Sequence, residues 1–159
     1  MKKKKTNVLR LLDKEKIAYQ IFEYEYDPEA LSATAIAENN GISLDQVYKT
    51  LVGKGDKTGV LVAVIPSGGT LNFKALCKVA GNKKMTLVAV KELQSLTGYI
   101  RGGCSPMGMK KPYPVFIDIS IETQELIYVN AGQRGILVGL NPADLVKMAK
   151  AEVSELCSA

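Results

Sequence analysis

Residues 48–65 read YKTLVGKGDKTGVLVAVI. Lys49 to Lys54 and Val60 to Ile65 are β-rich runs, and between them stand Gly55-Asp56-Lys57-Thr58-Gly59. Two such runs around a polar, glycine-bracketed loop predict a hairpin. Further strands follow at Val115 to Ile119, Leu126 to Val129 and Ile136 to Leu140, and one precedes the hairpin at Tyr19 to Tyr24. Strands that cluster, instead of alternating strictly with helices, argue for an α+β fold with a mixed or antiparallel sheet. About six strands are enough to curl into a partial barrel.

Helices fill the gaps. Thr6 is placed to cap a first helix with the apolar stripe Val8, Leu9, Leu11 and Leu12. Ser32 opens a short one through Ala33, Ile36 and Ala37, and Ser43-Leu44-Asp45-Gln46 fits a capping box for another turn. Asn72 caps a helix carrying Phe73, Leu76, Val79 and Ala80 and stopped by Gly81, and Val90 to Thr97 forms another stopped by Gly98. Asn141-Pro142 starts the last, with Asn as cap and Pro at the first helical position.

The whole chain is 159 residues, the size of one domain. The reading divides it into a flexible basic tail over residues 1–5 and a single domain over 6–159. The formal charge is +5, of which Lys2, Lys3, Lys4 and Lys5 supply four, leaving a near-neutral body. No apolar run approaches the ~18 residues a membrane helix needs, and the N-terminus lacks the apolar segment of a secretory signal. A cytoplasmic protein is expected.

The residue that is missing excludes most chemistry. With no histidine, Ser-His-Asp and Cys-His catalysis, HExxH metal sites and any imidazole base are ruled out. Cys77, Cys104 and Cys157 are scattered and form no CxxC pair, which argues against a zinc site and for a reducing compartment. No metal and no cofactor is expected.

Three segments break the ordinary pattern. In the first, Lys49 shares a strand face with Val47 and Leu51, opposite Tyr48, Thr50 and Val52. A lysine among apolar neighbours is either an edge residue with a snorkelling stem or a fixed cation aimed into a pocket. The second segment is Arg101-Gly102-Gly103-Cys104-Ser105-Pro106-Met107-Gly108. It is either a tight helix-to-strand connection or a backbone nest for an anion or oxyanion. Cys104 and Ser105 are nucleophiles by type, but no histidine is present to activate them. The third, Asn130-Ala131-Gly132-Gln133-Arg134-Gly135, is either a plain hairpin turn or a second pocket wall, with Arg134 facing phosphate or solvent.

Taken in order, helix-strand-Lys, GGxSPxG and NAGxRG resemble the YbaK/EbsC family of free-standing aminoacyl-tRNA editing proteins. The resemblance extends to TNVLRLLDKEKIAYQIFEY, SATAIAENNGISLDQVYKTLV and NPADLVKMAKA, nearly the whole chain. It implies a mixed, partly barrel-like sheet flanked by helices, as in the editing insertion of bacterial prolyl-tRNA synthetases. It implies the activity of a Cys-tRNA(Pro) deacylase, with Lys49 matching the family's essential lysine. Gly102, Ser105, Pro106 and Gly108 match the loop that holds the tRNA acceptor end, and Gly132 and Gly135 match the second small-residue turn. Gly103 and Arg134 complete the expected substrate contacts. Cys104 and Gln133 depart from the family pattern.

The resemblance makes chemical sense of the missing histidine. In the mechanism it implies, the substrate's cysteine thiolate attacks its own ester carbonyl and leaves as a thiolactone, so the enzyme falls between hydrolase and lyase. Such chemistry discriminates tRNAs poorly, and prolyl-tRNA synthetase is the implied partner in a ternary complex. Two other readings remain open: a deacylase of another misacylated tRNA such as Ala-tRNA(Pro), using an activated water, and a non-catalytic tRNA- or nucleotide-binding module.

Overall fold

The computed structural model describes residues 5–24 and 41–158. The helix expected from Ser32 and Lys2, Lys3 and Lys4 of the tail lie outside them. Helix α1 (Asn7–Lys14) opens on Thr6, whose hydroxyl accepts from the Leu9 amide at 3.2 Å. Strand β1 (Tyr19–Glu23) follows, then a 3-10 turn (Leu44–Gln46), β2 (Tyr48–Gly55) and β3 (Gly59–Pro66). Next come α2 (Phe73–Ala80), β4 (Met85–Leu87), α3 (Val90–Thr97) and β5 (Val115–Asp118). A second 3-10 turn (Ile119–Thr123), β6 (Ile127–Asn130), β7 (Ile136–Leu140), α4 (Pro142–Ala149) and β8 (Ala151–Ser154) complete the order.

Local sequence explains most boundaries. Asn72 and Asn141 cap α2 and α4 through their side-chain oxygens, while Gly81 and Gly98 end α2 and α3 in left-handed conformation. The expected capping box at Ser43 is corrected: Ser43 makes no capping bond, and only a 3-10 turn forms. Strand β5 stops at Asp118 because that carboxylate accepts from the Ser120 amide and caps the following turn.

The strands form two sheets, β1-β7-β6 and β4-β2-β3-β5-β8. The first is antiparallel; the second is mixed, with β3 parallel to β5 and β5 parallel to β8. The α+β expectation holds. The barrel is partial: among the described residues one parallel bridge, Val47 to Tyr128, joins the sheets along one side.

Alternation along β3 divides the interior. Val62 and Val64 enter the larger core between the sheets, with Val8, Leu9 and Leu12 of α1, Leu145 of α4, and Val129, Val138 and Leu140. Leu61, Ala63 and Ile65 enter a smaller core on the other face, beneath Leu76 of α2 and with Phe116 and Leu156. Each fully buried Val, Leu or Ile contributes about 1.5–3 kcal/mol, so β3, buried on both faces, is the thermodynamic centre of the fold. The hairpin tip is tied to the segment before β4. Asn82, itself buried, accepts from the amides of Lys57 and Thr58 and donates to the Thr58 hydroxyl. Gly55 leaves room for it, since a Cβ there would collide with the Asn82 amide. No helix among the described residues is long and apolar enough to cross a membrane.

Candidate active site

The Val47–Tyr128 bridge sets β2 beside β6. Side chains alternate in a strand, so Lys49 and Asn130, each two residues beyond the bridged pair, both lie on strand faces turned away from the inter-sheet core. Lys49 is half-buried and pairs in register with Ile65, and its side chain makes no hydrogen bond or ion pair among the described residues. Its ammonium sits near Cys157, whose thiol it draws down against the larger upward push of burial. Asn130 carries a buried Oδ1 with no hydrogen-bond partner. Thr50, on the opposite face of β2, has a buried hydroxyl in the same condition. A buried polar oxygen without a partner costs free energy unless something else fills the bond, which marks both as unfinished contacts.

From Asn130 the chain enters the NAGxRG turn, and there it meets the GGxSPxG loop. A Cβ on Gly103 would lie 3.2 Å from both the Arg134 nitrogen and the Gln133 carbonyl carbon, so any larger residue there requires the turn to give by a few tenths of an ångström. Arg134 donates from Nε to the carbonyl of Arg101 at 2.8 Å, tying the loops a second time. Gly132 takes a left-handed φ of 91° and packs against the Tyr99 ring. Gly135, also left-handed, passes its carbonyl to the Tyr24 amide.

The GGxSPxG loop is held from below. Cys104 and Met107 insert their side chains into the inter-sheet core, and the Tyr99 hydroxyl donates to the Met107 carbonyl at 2.6 Å. Ser105 is fully buried, and its hydroxyl accepts from the Met107 amide. Pro106 is buried and Gly108 is left-handed. Anchored this way, the loop leaves its own backbone unspent. Among the described residues, the amides of Gly102, Cys104 and Ser105 enter no hydrogen bond, whereas that of Gly103 donates to Ile100. Fixed, unpaired amides in a buried loop are the groups that hold an anion or a developing oxyanion.

Comparison with known proteins identifies the setting. A family model for the aminoacyl-tRNA editing domain matches residues 27–148, spanning Lys49 and both loops. The chain belongs to the aminoacyl-tRNA editing domain family. Its sequence is 40% identical over 152 residues, 96% of this chain and 93% of the other, to EbsC of Enterococcus faecalis, named as a proposed Cys-tRNA(Pro)/Cys-tRNA(Cys) deacylase. It is 26% identical over 99 residues to the proline–tRNA ligase of Thermosipho africanus, covering 62% of this chain but 18% of that one. The fold matches the crystal structure of a proposed trans-editing enzyme for prolyl tRNA synthetase, with a TM-score of 0.81 and 21% identity over 96% of this chain and 97% of that one.

Within this editing domain Cys104 and Cys157 are held as protonated thiols. Burial pushes the Cys104 thiol up to about 11, with a hydrogen bond to Thr97 only partly opposing it. The Cys157 thiol also rises to about 11, first through burial and then through Asp118. Thiols so protonated are poor nucleophiles near neutrality. Lys49 and both glycine loops stood out in the sequence, and the structure brings the two loops together through Gly103 and Arg134. Thr50 and Asn130 stood within the segments that broke the ordinary pattern but were given no role; their orphaned oxygens become visible only in three dimensions.

Proposed function

We propose that this editing domain is a trans-editing deacylase that removes cysteine from mischarged Cys-tRNA(Pro). One observation carries the reading: the GGxSPxG loop offers unpaired amides while its own thiol and hydroxyl are turned into the fold. A site built this way stabilises charge on a substrate and supplies no nucleophile. The substrate then brings its own. The cysteine thiol loses its proton and attacks the ester carbonyl, forming an S–C bond. The C–O bond to the ribose breaks, the ribose oxygen takes up a proton, and the thiolactone released is opened by water.

Holding thiol and carbonyl in reacting geometry is worth up to about 7–11 kcal/mol in favourable cases. Each amide aimed at the developing oxyanion adds about 3–4 kcal/mol by analogy with other acyl-transfer sites. Lys49 supplies positive charge for the terminal phosphate, the ribose or the reacting centre. Gly102, Gly103, Ser105, Pro106 and Gly108 line one side of the acceptor end, and Gly132, Arg134 and Gly135 the other. The protein works in the cytoplasm beside prolyl-tRNA synthetase, which selects the tRNA in a ternary complex. The likeness to EbsC supports the cysteine substrate.

A turnover panel on proline tRNA carrying cysteine, alanine or proline tests the reading. Rapid release of cysteine alone is expected. Preferential release of alanine would replace it with a water-activating deacylase, and no release would leave a binding module.

A further inference from the structure

A groove of about 440 Å³ opens beside the GGxSPxG loop, beginning at Pro106 and Gly108 and walled by Tyr113 and Met148. Lys110, Lys111 and Lys150 line it, and no Asp or Glu does. None of the three lysines has an ion-pair partner among the described residues. Three unpaired cations around one concavity repel one another, and an anion in the groove relieves that repulsion.

Lys150 carries a second signal. It ends α4 in left-handed conformation, φ 51° and ψ 47°, where α2 and α3 end on Gly81 and Gly98; among the described non-glycine residues Lys16 after α1 shares the positive φ. A side chain in that conformation is strained, and glycine is the default. Strain kept at a ligand-facing position is characteristic of binding sites. The groove at the other end of α4, lined by Asn141 and Pro142, carries Glu122 and Glu125 and no basic residue. Attraction for a polyanion is therefore confined to the side of α4 that adjoins the loop.

We propose that the Lys110–Lys111–Lys150 groove is a phosphate subsite for the acceptor strand of an RNA whose 3′ end lies at the GGxSPxG loop. The ligand class is a run of backbone phosphates. The choice of an acceptor strand rests on the editing reading above.

The test measures binding of a proline acceptor-stem hairpin RNA by fluorescence anisotropy across a salt series. The variant K110A/K111A/K150A should bind at least about tenfold more weakly, with the slope of log K against log salt reduced by about 2–3, since each phosphate contact contributes roughly 0.7–0.9. A control, K57A/K83A/K84A, removes the same charge near the hairpin tip and should change binding far less. Wild-type binding by the groove variant, or an equal loss in the control, would overturn the proposal. So would polyglutamate competing as well as RNA. Cleavage of cysteinyl-adenosine, which lacks the stem, should be unchanged in the groove variant; its loss would place the lysines in the reacting centre instead. If wild type cleaves no aminoacyl ester yet the RNA arms behave as expected, the editing reading fails and the groove stands. Lys150→Gly guards against a folding artefact. It should raise the melting temperature by about 2–4 °C while weakening RNA binding. Higher stability with unchanged binding would remove Lys150 from the site.

Discussion

Gly103 and Arg134 meet through their backbones: a Cβ on the glycine would sit 3.2 Å from the arginine nitrogen. That contact fixes the distance between the two glycine loops, and in the proposed site the amides of one act at a set distance from the other. Gly103→Ala must push the loops apart by a few tenths of an ångström. It should therefore cost only about 1 kcal/mol in a urea melt yet lower single-turnover deacylation at least about tenfold, because small misplacements of positioning groups are costly. Unchanged turnover would show that the spacing of the loops is irrelevant to catalysis.

Lys49 has apolar strand neighbours and no ion-pair partner among the described residues. Lys49→Met keeps the stem's packing and removes only the charge. The variant should melt like wild type and lose at least about tenfold in kcat/KM, a barrier change of roughly 1.4 kcal/mol. Wild-type kinetics would return Lys49 to an ordinary edge residue.

What was legible in the sequence was what is encoded locally. The apolar runs of β3 and β7 and the caps at Thr6, Asn72 and Asn141 have short-range causes. Strands β4 and β8 were missed. Strand β4 has three residues, with Thr86 and Leu87 exposed, and exists because Gly53 pairs with Leu87 and Asn82 holds the hairpin beside it. Strand β8 reads AEVS and is held parallel to β5, a non-local pairing with no local signature. The site divides the same way. Lysine and glycines announced themselves by type, whereas the convergence of β2 with β6 depends on one bridge between Val47 and Tyr128, far apart in the chain.

Asp118 ties the C-terminal segment to β5, accepting from the Leu156 amide at 2.8 Å. Burial works against its charge, but hydrogen bonds from Ser120 and from the Leu156 amide outweigh it and hold the carboxyl below its ordinary value. The stability it contributes is thus fully present above about pH 4 and is lost as pH falls through the lowered value. Asp118→Asn should cost about 1.5–3 kcal/mol at pH 7 and flatten the acid limb of a stability–pH profile. An unchanged acid limb would contradict this.

Cys104 behaves oppositely. Its folded value of about 11 lies above the ordinary thiol value of about 8.5. Its contribution is fully present below about pH 8.5 and is lost as pH rises through 11. Cys104→Ala should shallow that alkaline decline and, apart from a packing loss, leave neutral-pH deacylation intact. Complete inactivity with folding preserved would instead identify an enzyme nucleophile.

In the proposed reaction the substrate supplies the attacking atom. Losing a binding contact costs about 1–3 kcal/mol, whereas losing a well-placed nucleophile costs much more. The most direct measurement compares single-turnover cleavage of Cys-tRNA(Pro) with that of the nearly isosteric Ser-tRNA(Pro), whose hydroxyl is hardly ionised near neutral pH. The serine ester should be cleaved at least about 10³-fold more slowly, roughly 4 kcal/mol of barrier. Comparable rates for the two esters would contradict it and point to a water activated by the protein.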